Sequence, residues 1–270
     1  MPIAKNIRKC TTLLNQISKK EYFRIFKRTI DAEIQNLERI KISSGMSQSN
    51  AEREAYKDIL NYLSNVLQNG QTNIDAHINN KIQNGEISNA DQARKSVAGN
   101  LFQQSIAYLL AKNVILGNIT KPIIVTTSVK SLLDQYAQIN VNGDVQTPDS
   151  DIIIYSETTN SPILNISCKT SFRERAGQTY KWKLLFDLAT CTCPHKPTQA
   201  NCPATVYNLT YTPSKPVKVG FITADFYNEI NNPQIVGMFS FFDYAYITKT
   251  IGNTGIISLS NILNDINNLF

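Results

Sequence analysis

The chain has 270 residues, of which 42% are hydrophobic, with a formal net charge of +6 and a pI near 9.0. This length is enough for a full core, and no apolar run reaches the roughly 18 residues that cross a bilayer. The start of the chain lacks a continuous apolar segment, so we expect no secretory signal, and the odd number of cysteines argues against a disulfide framework. We therefore expect a soluble, cytoplasmic protein whose basic charge permits a polyanionic partner.

The first part of the chain has the apolar periodicity of helices. Apolar side chains at three- and four-residue spacing predict helices in EYFRIFKRTIDAEIQNLERI and NAEREAYKDILNYLSNVL, joined by the polar loop KISSGMSQSN. The stretch 67–89, rich in Asn, Gln and Gly, predicts a mixed connector with a solvated His77. A further helix is predicted over 90–113, with Ser88 or Asn89 as its N-cap.

After about residue 114 the pattern becomes that of strands. Short β-branched or aromatic runs predict five of them: IIVTT, DIIIY, ILNISCK, VKVGFITA and IVGMFSFF. Two helices are predicted among them, QTYKWKLLFDLA and the C-terminal SLSNILNDINNLF, capped by Ser258 or Ser260. The sequence thus predicts a helical N-terminal region, residues 1–88, followed by an α/β core, residues 89–270.

Charge is distributed unevenly in the α/β core. Residues 131–168 contain five acids and no Lys or Arg, whereas residues 169–183 contain five bases and a single acid. One interpretation is an acidic metal site beside a phosphate-binding strip. The alternative is two solvated faces of opposite sign.

Two aspartates and a lysine flank the second and third predicted strands. Asp149 and Asp151 precede the run IIIY, Lys169 ends the run ILNISCK, and fifteen residues lie between Asp151 and Ser167. This spacing fits a hairpin that turns at TTNSP, so we expect Asp151 to lie beside Lys169. Carboxylate oxygens hold hard cations such as Mg²⁺, which assist phosphodiester hydrolysis, and an ammonium group can stabilise the charge that develops on the phosphate.

These residues resemble the motif of the PD-(D/E)xK nucleases, with PDSD as the Pro-Asp element and SCK in place of acid-x-Lys. KTSFRER, residues 169–175, is similar to the corresponding segment of EcoRII-like type II restriction endonucleases. RKSVAGNLFQQ, residues 94–104, resembles the upstream helix of the same enzymes, which carries a glutamate where Gln103 stands here. Gly99, one turn earlier, is expected to let this helix lie close to the sheet.

The resemblance implies a fold, a reaction and a set of site residues. The fold is a restriction-endonuclease-like α/β core with a mixed five-stranded sheet flanked by helices. The function is Mg²⁺-dependent cleavage of double-stranded DNA at a short specific sequence by a homodimer, with the N-terminal helices clamping DNA or forming the dimer interface. Asp151, Lys169 and Gln103 would be catalytic, with Asp151 and Asp149 as metal ligands. Arg173 and Arg175, two residues apart, are expected on one side of an extended segment. The predicted DNA-binding residues are Arg94, Arg173, Arg175, Lys181 and Lys183.

Two departures from the family pattern keep other hypotheses open. Ser167 and Gln103 stand where the family has carboxylates, and Asp187 or Glu174 could be relocated acids. The alternatives are a DNA-binding protein with a degenerate nuclease fold and a repair or junction-resolving nuclease.

A cluster of soft ligands lies in CTCPHKPTQANC. Its thiols and imidazole could bind a structural zinc ion, although Cys-x-Cys-x-His is tighter than the usual ligand spacing. A surface loop that carries thiols is the alternative interpretation. The residues concerned are Cys191, Cys193, His195 and Cys202.

Overall fold

Four long helices begin the fold in the computed structural model, which describes residues 2–171, 173–191, 202–211, 215–226, 230, 237–249 and 256–270. Asn89 is the N-cap of the fourth, and its side-chain oxygen accepts a hydrogen bond from the main-chain N of Gln92 at 3.0 Å, so one of the two predicted caps is confirmed. None of the described helices has the length and apolar content to cross a membrane. The helices are α1 (Pro2–Ser18), α2 (Glu21–Ser43), α3 (Gln48–Gln83) and α4 (Ala90–Ile115).

Helix α3 continues through the segment that the sequence predicts as a connector. That prediction is wrong because Leu67, Ile74 and Ile78 extend the apolar spacing and are buried, so tertiary packing outweighs the low helix propensity of the Asn and Gly residues. Gly70 is required here, since a Cβ atom at this position would overlap the ring of Phe26 on α2.

A six-stranded mixed sheet lies at the centre of the α/β core, one strand more than expected. The first three strands in the sheet pair antiparallel, and the third to sixth strands pair parallel. The mixed α/β class is therefore confirmed. In sheet order the strands are β1 (Ile124–Thr126), β4 (Ile152–Tyr155), β5 (Ile163–Lys169), β7 (Val217–Thr223), β8 (Tyr244–Ile247) and β9 (Ile257–Ser258).

The fifth predicted strand, IVGMFSFF, is wrong over its described residues. Residues 237–239 are helical, and the strand begins only at Tyr244. Phe239 and Phe242 are three residues apart and both buried, and the Phe242 ring stacks on Phe221 of β7 with a 5.1 Å centroid separation. The run is apolar because these rings pack on the sheet.

A small second sheet with strand order β3-β2-β6 was not predicted. Its β2–β3 hairpin turns at Asn142 and Gly143, whose φ angles of 53° and 95° are the left-handed pair that a two-residue turn requires. The strands are β2 (Ile139–Val141), β3 (Asp144–Gln146) and β6 (Leu209–Thr210).

Four further helices follow in the described structure, apart from the helical residues 237–239. Helix α6 starts earlier than predicted, so Arg173 and Arg175 lie in its first turn and not on an extended segment. The N-cap of α8 is Asn261, because a 3-10 turn over Leu259–Asn261 intervenes between the helix and Ser258. The helices are α5 (Lys130–Tyr136), α6 (Arg173–Ala189), α7 (Pro203–Val206) and α8 (Ile262–Leu269).

The core lies on both faces of the large sheet. Alternate strand residues such as Ile154 and Ile166 pack against α1–α4 and α8, and the residues between them, such as Ile153 and Phe221, pack against α5 and α6. Helices α1–α3 therefore share one hydrophobic core with α4 and the sheet.

Candidate active site

Asp149, Asp151 and Lys169 meet at one end of the β4–β5 hairpin. The strands are antiparallel, with Ile152 opposite Ile166, and the Asp151 N–H donates to the Ile166 carbonyl at 3.0 Å. Lys169 Nζ lies 3.1 Å from Asp151 Oδ2 and 3.5 Å from Asp149 Oδ2. The hairpin thus has the arrangement that the sequence predicts, with the Lys169 side chain 9% exposed and its ammonium group between two carboxylates.

The Asp151 carboxylate is held by one of its two oxygens. Oδ2 accepts a hydrogen bond from the Cys168 main-chain N at 2.7 Å and lies 3.5 Å from the Ser167 hydroxyl. Within the described residues, Oδ1 accepts no hydrogen bond. Asp149 is more open, with a side chain that is 51% exposed. Each aspartate thus has an oxygen available to a ligand.

The thiol next to this site is unsuited to nucleophilic attack. Burial, with a smaller contribution from the Asp151 charge, raises the pKa of Cys168 well above its ordinary value. The neutral thiol is the stable form near pH 7, and a thiolate is the form that attacks.

Gln103 reaches the site from α4. Its amide Nε2 donates to the main-chain carbonyl of Asp151 at 2.7 Å, and its amide oxygen has no hydrogen-bond partner in the described part of the chain. The explanation based on Gly99 is wrong, because a Cβ atom there would meet nothing within 4 Å. The neighbouring Gln104 is buried and belongs to the packed side of the helix.

The oxygen donors at this site suit a hard cation. Two carboxylates and one amide oxygen are the ligand types that Mg²⁺ takes, with water and substrate phosphate filling the other positions. Among the described residues, no group of three or more His, Cys, Asp or Glu side chains could hold a metal ion. A cation here would depend on Asp149, Asp151 and Gln103 together.

Asp187 does not lie near these ligands. It pairs with Lys183, which also lies 3.8 Å from Asp243, and Asp243 accepts a hydrogen bond from the Val219 main-chain N. Val219 is opposite Asn165 in the parallel β5–β7 pair, four residues and about 13 Å before Lys169 along the strand. The side chain of Glu174 lies outside the described residues.

A third acid that was not predicted from the sequence lies close to Lys169. Lys169 is opposite Thr223 at the end of β7, and Asp225 follows two residues later, 1% exposed and paired with Lys249 at 3.0 Å. Its φ of 48° lies in the left-handed region, where aspartate is tolerated better than most side chains. An acid directly after the run VKVGFITA was the available signal.

The predicted DNA-binding residues have different surroundings. Arg94 Nε lies 3.4 Å from Asp75 Oδ1, and an Arg94 Nη donates to Asn79 Oδ1 at 2.9 Å. Lys181 is exposed, whereas the Lys183 side chain is only 11% exposed and pairs with Asp187. The side chains of Arg173 and Arg175 lie outside the described residues, and only their backbone position is known.

A cleft with a volume of ≈ 740 Å³ opens beside Lys169, between α3, α4 and the turn that follows β5. Most of its apolar lining is buried, and its polar lining residues are Gln68, Gln71 and Asp75 from α3, Arg94 and Lys95 from α4, and the two residues after Lys169, Thr170 and Ser171.

The zinc hypothesis falls mainly on residues outside the described part of the chain. Cys193 and His195 belong to that segment, and the flanking Cys191 and Cys202 form no metal-binding group with other described residues. The structure therefore gives no support to a zinc site.

One family model matches this chain. The family described as BsaWI restriction endonuclease type 2 matches residues 126–268, just over half of the sequence. The match covers both aspartates, Lys169 and all of α6, but it begins after α4 and Gln103. No curated protein matches the chain at a significant level.

Proposed function

Since the chain belongs to the BsaWI family of type II restriction endonucleases, we propose that it cuts double-stranded DNA at a short specific sequence, with Mg²⁺ as its cofactor. We also propose that it is a PD-(D/E)xK enzyme of the EcoRII-like group. The observation that carries the proposal is Lys169, held 3.1 and 3.5 Å from two carboxylates at the end of β5.

Each residue of the candidate site has a distinct role in this proposal. Asp151 and Asp149 would hold the cation, which polarises the phosphate and makes hydroxide available near pH 7. The Lys169 ammonium stabilises the negative charge that develops on the phosphate oxygens as a water oxygen bonds to phosphorus and a phosphorus–oxygen bond breaks. Gln103 donates a hydrogen bond from its amide nitrogen to the Asp151 main chain, and its amide oxygen would be a ligand for the cation or for a water molecule bound to it.

Charge balance explains how the site could work without the family's helix glutamate. Asp149, Asp151 and one phosphodiester carry three negative charges, and Lys169 with one divalent cation carries three positive charges. The assembled site is then neutral, which limits the cost of burying it. A neutral Gln103 preserves this balance when one cation is bound.

The remaining predicted parts have supporting roles. Arg173 and Arg175 in the first turn of α6, and the exposed Lys181, are proposed DNA contacts near the cut. Residues 1–88 are proposed to clamp DNA or to form a dimer interface, with residues 89–270 as the nuclease core. A homodimer suits the function because a palindromic site presents the same edges to each subunit.

A second candidate function is DNA binding without cleavage. It is favoured by one observation, that Ser167 and Gln103 stand where the PD-(D/E)xK pattern has acids. In that case the two aspartates and Lys169 would be the remains of a site that no longer holds a cation firmly.

Incubation of the purified protein with a long duplex and Mg²⁺ separates these functions. Discrete fragments support a restriction endonuclease, and a smear indicates a nonspecific or repair nuclease. Intact DNA with a gel shift indicates the degenerate form. Omitting Mg²⁺ should abolish cutting, and restoring it should recover the same fragments.

A further inference from the structure

The second half of α3 has an unusual exposed surface. From residue 65 onward its exposed positions are mainly amides, and its ion-pairing side chains, Asp75, His77 and Lys81, are only partly exposed. Asn has low helix propensity, and a solvated helix face is normally charged. The exposed amides are Asn65, Gln68, Asn69, Gln71, Asn73, Asn79, Asn80 and Gln83.

Gln68 and Gln71 stand apart from the other amides because they line the cleft. They share one stripe of α3 with the cleft-lining residues Leu67, Ile74 and Ile78, at three- and four-residue spacing. Both are exposed, and neither forms a side-chain hydrogen bond with any described residue. Their donors and acceptors are therefore free to meet a ligand.

The opposite wall of the cleft adds positive charge. Arg94 and Lys95 lie on α4, and Lys95 has no ion pair within the described ranges. Arg94 is paired with Asp75, which also lines the cleft, so Lys95 supplies the unpaired charge. Two neutral amides together with this lysine suit a ligand that has both anionic groups and hydrogen-bonding edges. Duplex DNA has both, in its phosphates and in the edges of its bases.

The cleft also lies where substrate DNA must pass. Thr170 and Ser171 directly follow Lys169. If the scissile phosphate binds at Lys169, the neighbouring nucleotides lie next to the cleft, because Thr170 and Ser171 line it. We propose that Gln68 and Gln71 determine sequence specificity by hydrogen bonding to base edges, while Lys95 contacts a phosphate. This inference rests on the proposed DNA-cleaving function.

Glutamine suits this role because its amide offers a donor and an acceptor on the same planar group. It can therefore discriminate between base pairs without attracting every phosphate. A lysine that contacts a phosphate meets the backbone of any sequence, so its effect is a general gain in affinity. In this proposal the glutamines of α3 read the bases, and the lysine of α4 contacts the phosphate backbone.

A binding selection from a library of randomised duplexes tests the inference without requiring cleavage. It is run in calcium with wild type, Gln68→Ala, Gln71→Ala, the double variant and Asn73→Ala. Asn73 is the matched control, because it is exposed on the side of α3 away from the cleft. Wild type and Asn73→Ala should enrich the same short sequence.

The glutamine variants should lose discrimination at one or two base pairs of that sequence. We expect a fall of about tenfold to a hundredfold there, with the other positions unchanged. The salt dependence of binding should stay the same in these variants, and Lys95→Ala should reduce its slope by about one unit.

Two results would overturn the inference: unchanged discrimination in the double variant, or no enriched sequence with wild type. Failure of the cleavage activity alone looks different. Wild type would then enrich a sequence but leave it uncut in Mg²⁺, and the effect of the glutamine variants on the enriched sequence would still decide the inference.

Discussion

Lysine and aspartate side chains meet at both ends of the six-stranded sheet. At the carboxyl end of β5, Lys169 lies between Asp149 and Asp151. At the amino ends of β7 and β8, Lys183 and Lys218 share Asp243, and Asp187 pairs with Lys183. The side chains are the same, but the first cluster has a net charge of −1, since one lysine faces two aspartates, and the second is neutral.

The two clusters also differ in how their oxygens are used. Both oxygens of Asp243 are occupied, one by Lys218 and the other by the Val219 main-chain N. At the other end, Asp151 Oδ1 accepts no hydrogen bond from described residues, and the Asp149 side chain is 51% exposed. A neutral cluster whose carboxylate oxygens already have partners stabilises the fold. An acidic cluster with an oxygen left open can bind a cation. Substitutions at the two ends should therefore have opposite consequences for activity and stability.

The largest effect is expected for Lys169→Ala and Asp151→Ala. Each should lower the cleavage rate by about a thousandfold or more, because these groups act on the transition state. Specific DNA binding in calcium should survive. Single-turnover cleavage and gel-shift titration measure the two quantities, and Asp149→Ala shows which aspartate matters more. Cleavage by Asp151→Ala at the wild-type rate would refute the site.

A smaller effect is expected at Gln103, where Gln103→Ala should lower cleavage about tenfold to a hundredfold and keep binding. Gln103→Glu replaces the donor to the Asp151 carbonyl with an oxygen, so the free protein should be less stable. Mg²⁺ should raise the melting temperature of Gln103→Glu more than that of wild type, because a third carboxylate increases cation affinity.

The control for these variants is Gln104→Ala. This residue is buried on the packed side of α4, so its loss should affect stability more than cleavage. If Gln103→Ala cuts as fast as wild type at every Mg²⁺ concentration, the α4 amide has no part in the reaction. Asp225, two residues beyond the partner of Lys169 on β7, would then be the next acid to substitute.

Local chain geometry explains why part of this site could be predicted from the sequence. Asp151 and Lys169 belong to one antiparallel hairpin, so their separation along the chain determines their proximity. Asp225 and Asp243 depend on parallel pairing of β5, β7 and β8, whose connections are long, and sequence periodicity does not reveal such pairing. The second half of α3 was mispredicted for a related reason, since its helical state depends on burial of Ile74 and Ile78.

The neutral cluster should respond to substitution in its stability. Asp243→Ala leaves the Val219 N–H and Lys218 without their partner, which should cost about 1–3 kcal/mol of unfolding free energy. Asp187 is 52% exposed, and Asp187→Ala should cost less than about 0.5 kcal/mol. Urea denaturation measures both. The cleavage rate per folded molecule should be unchanged. A large loss of that rate in Asp243→Ala would show that this cluster also takes part in cleavage.

The smallest effect is expected at Glu157, which follows β4 at the end of the sheet away from Lys169. It pairs with Lys5 at 2.8 Å and with Lys9, and so ties α1 to the sheet. Hydrogen bonds from these two lysines lower the pKa of Glu157 below its ordinary value near 4.5. A lowered pKa contributes stability that is present above the ordinary value and is lost as the pH falls through the folded-state value.

Glu157→Gln should therefore reduce the unfolding free energy by about 0.5 kcal/mol near pH 7, and this difference should shrink as the pH falls below about 4.5. Urea denaturation across that range measures it, with Glu54→Gln as a control for loss of a surface charge within one helix. The cleavage rate at neutral pH should match wild type, because Glu157 lies at the end of the sheet away from Lys169. A destabilisation that is the same at about pH 3.5 as at pH 7 would show that Glu157 acts through packing and not through its charge.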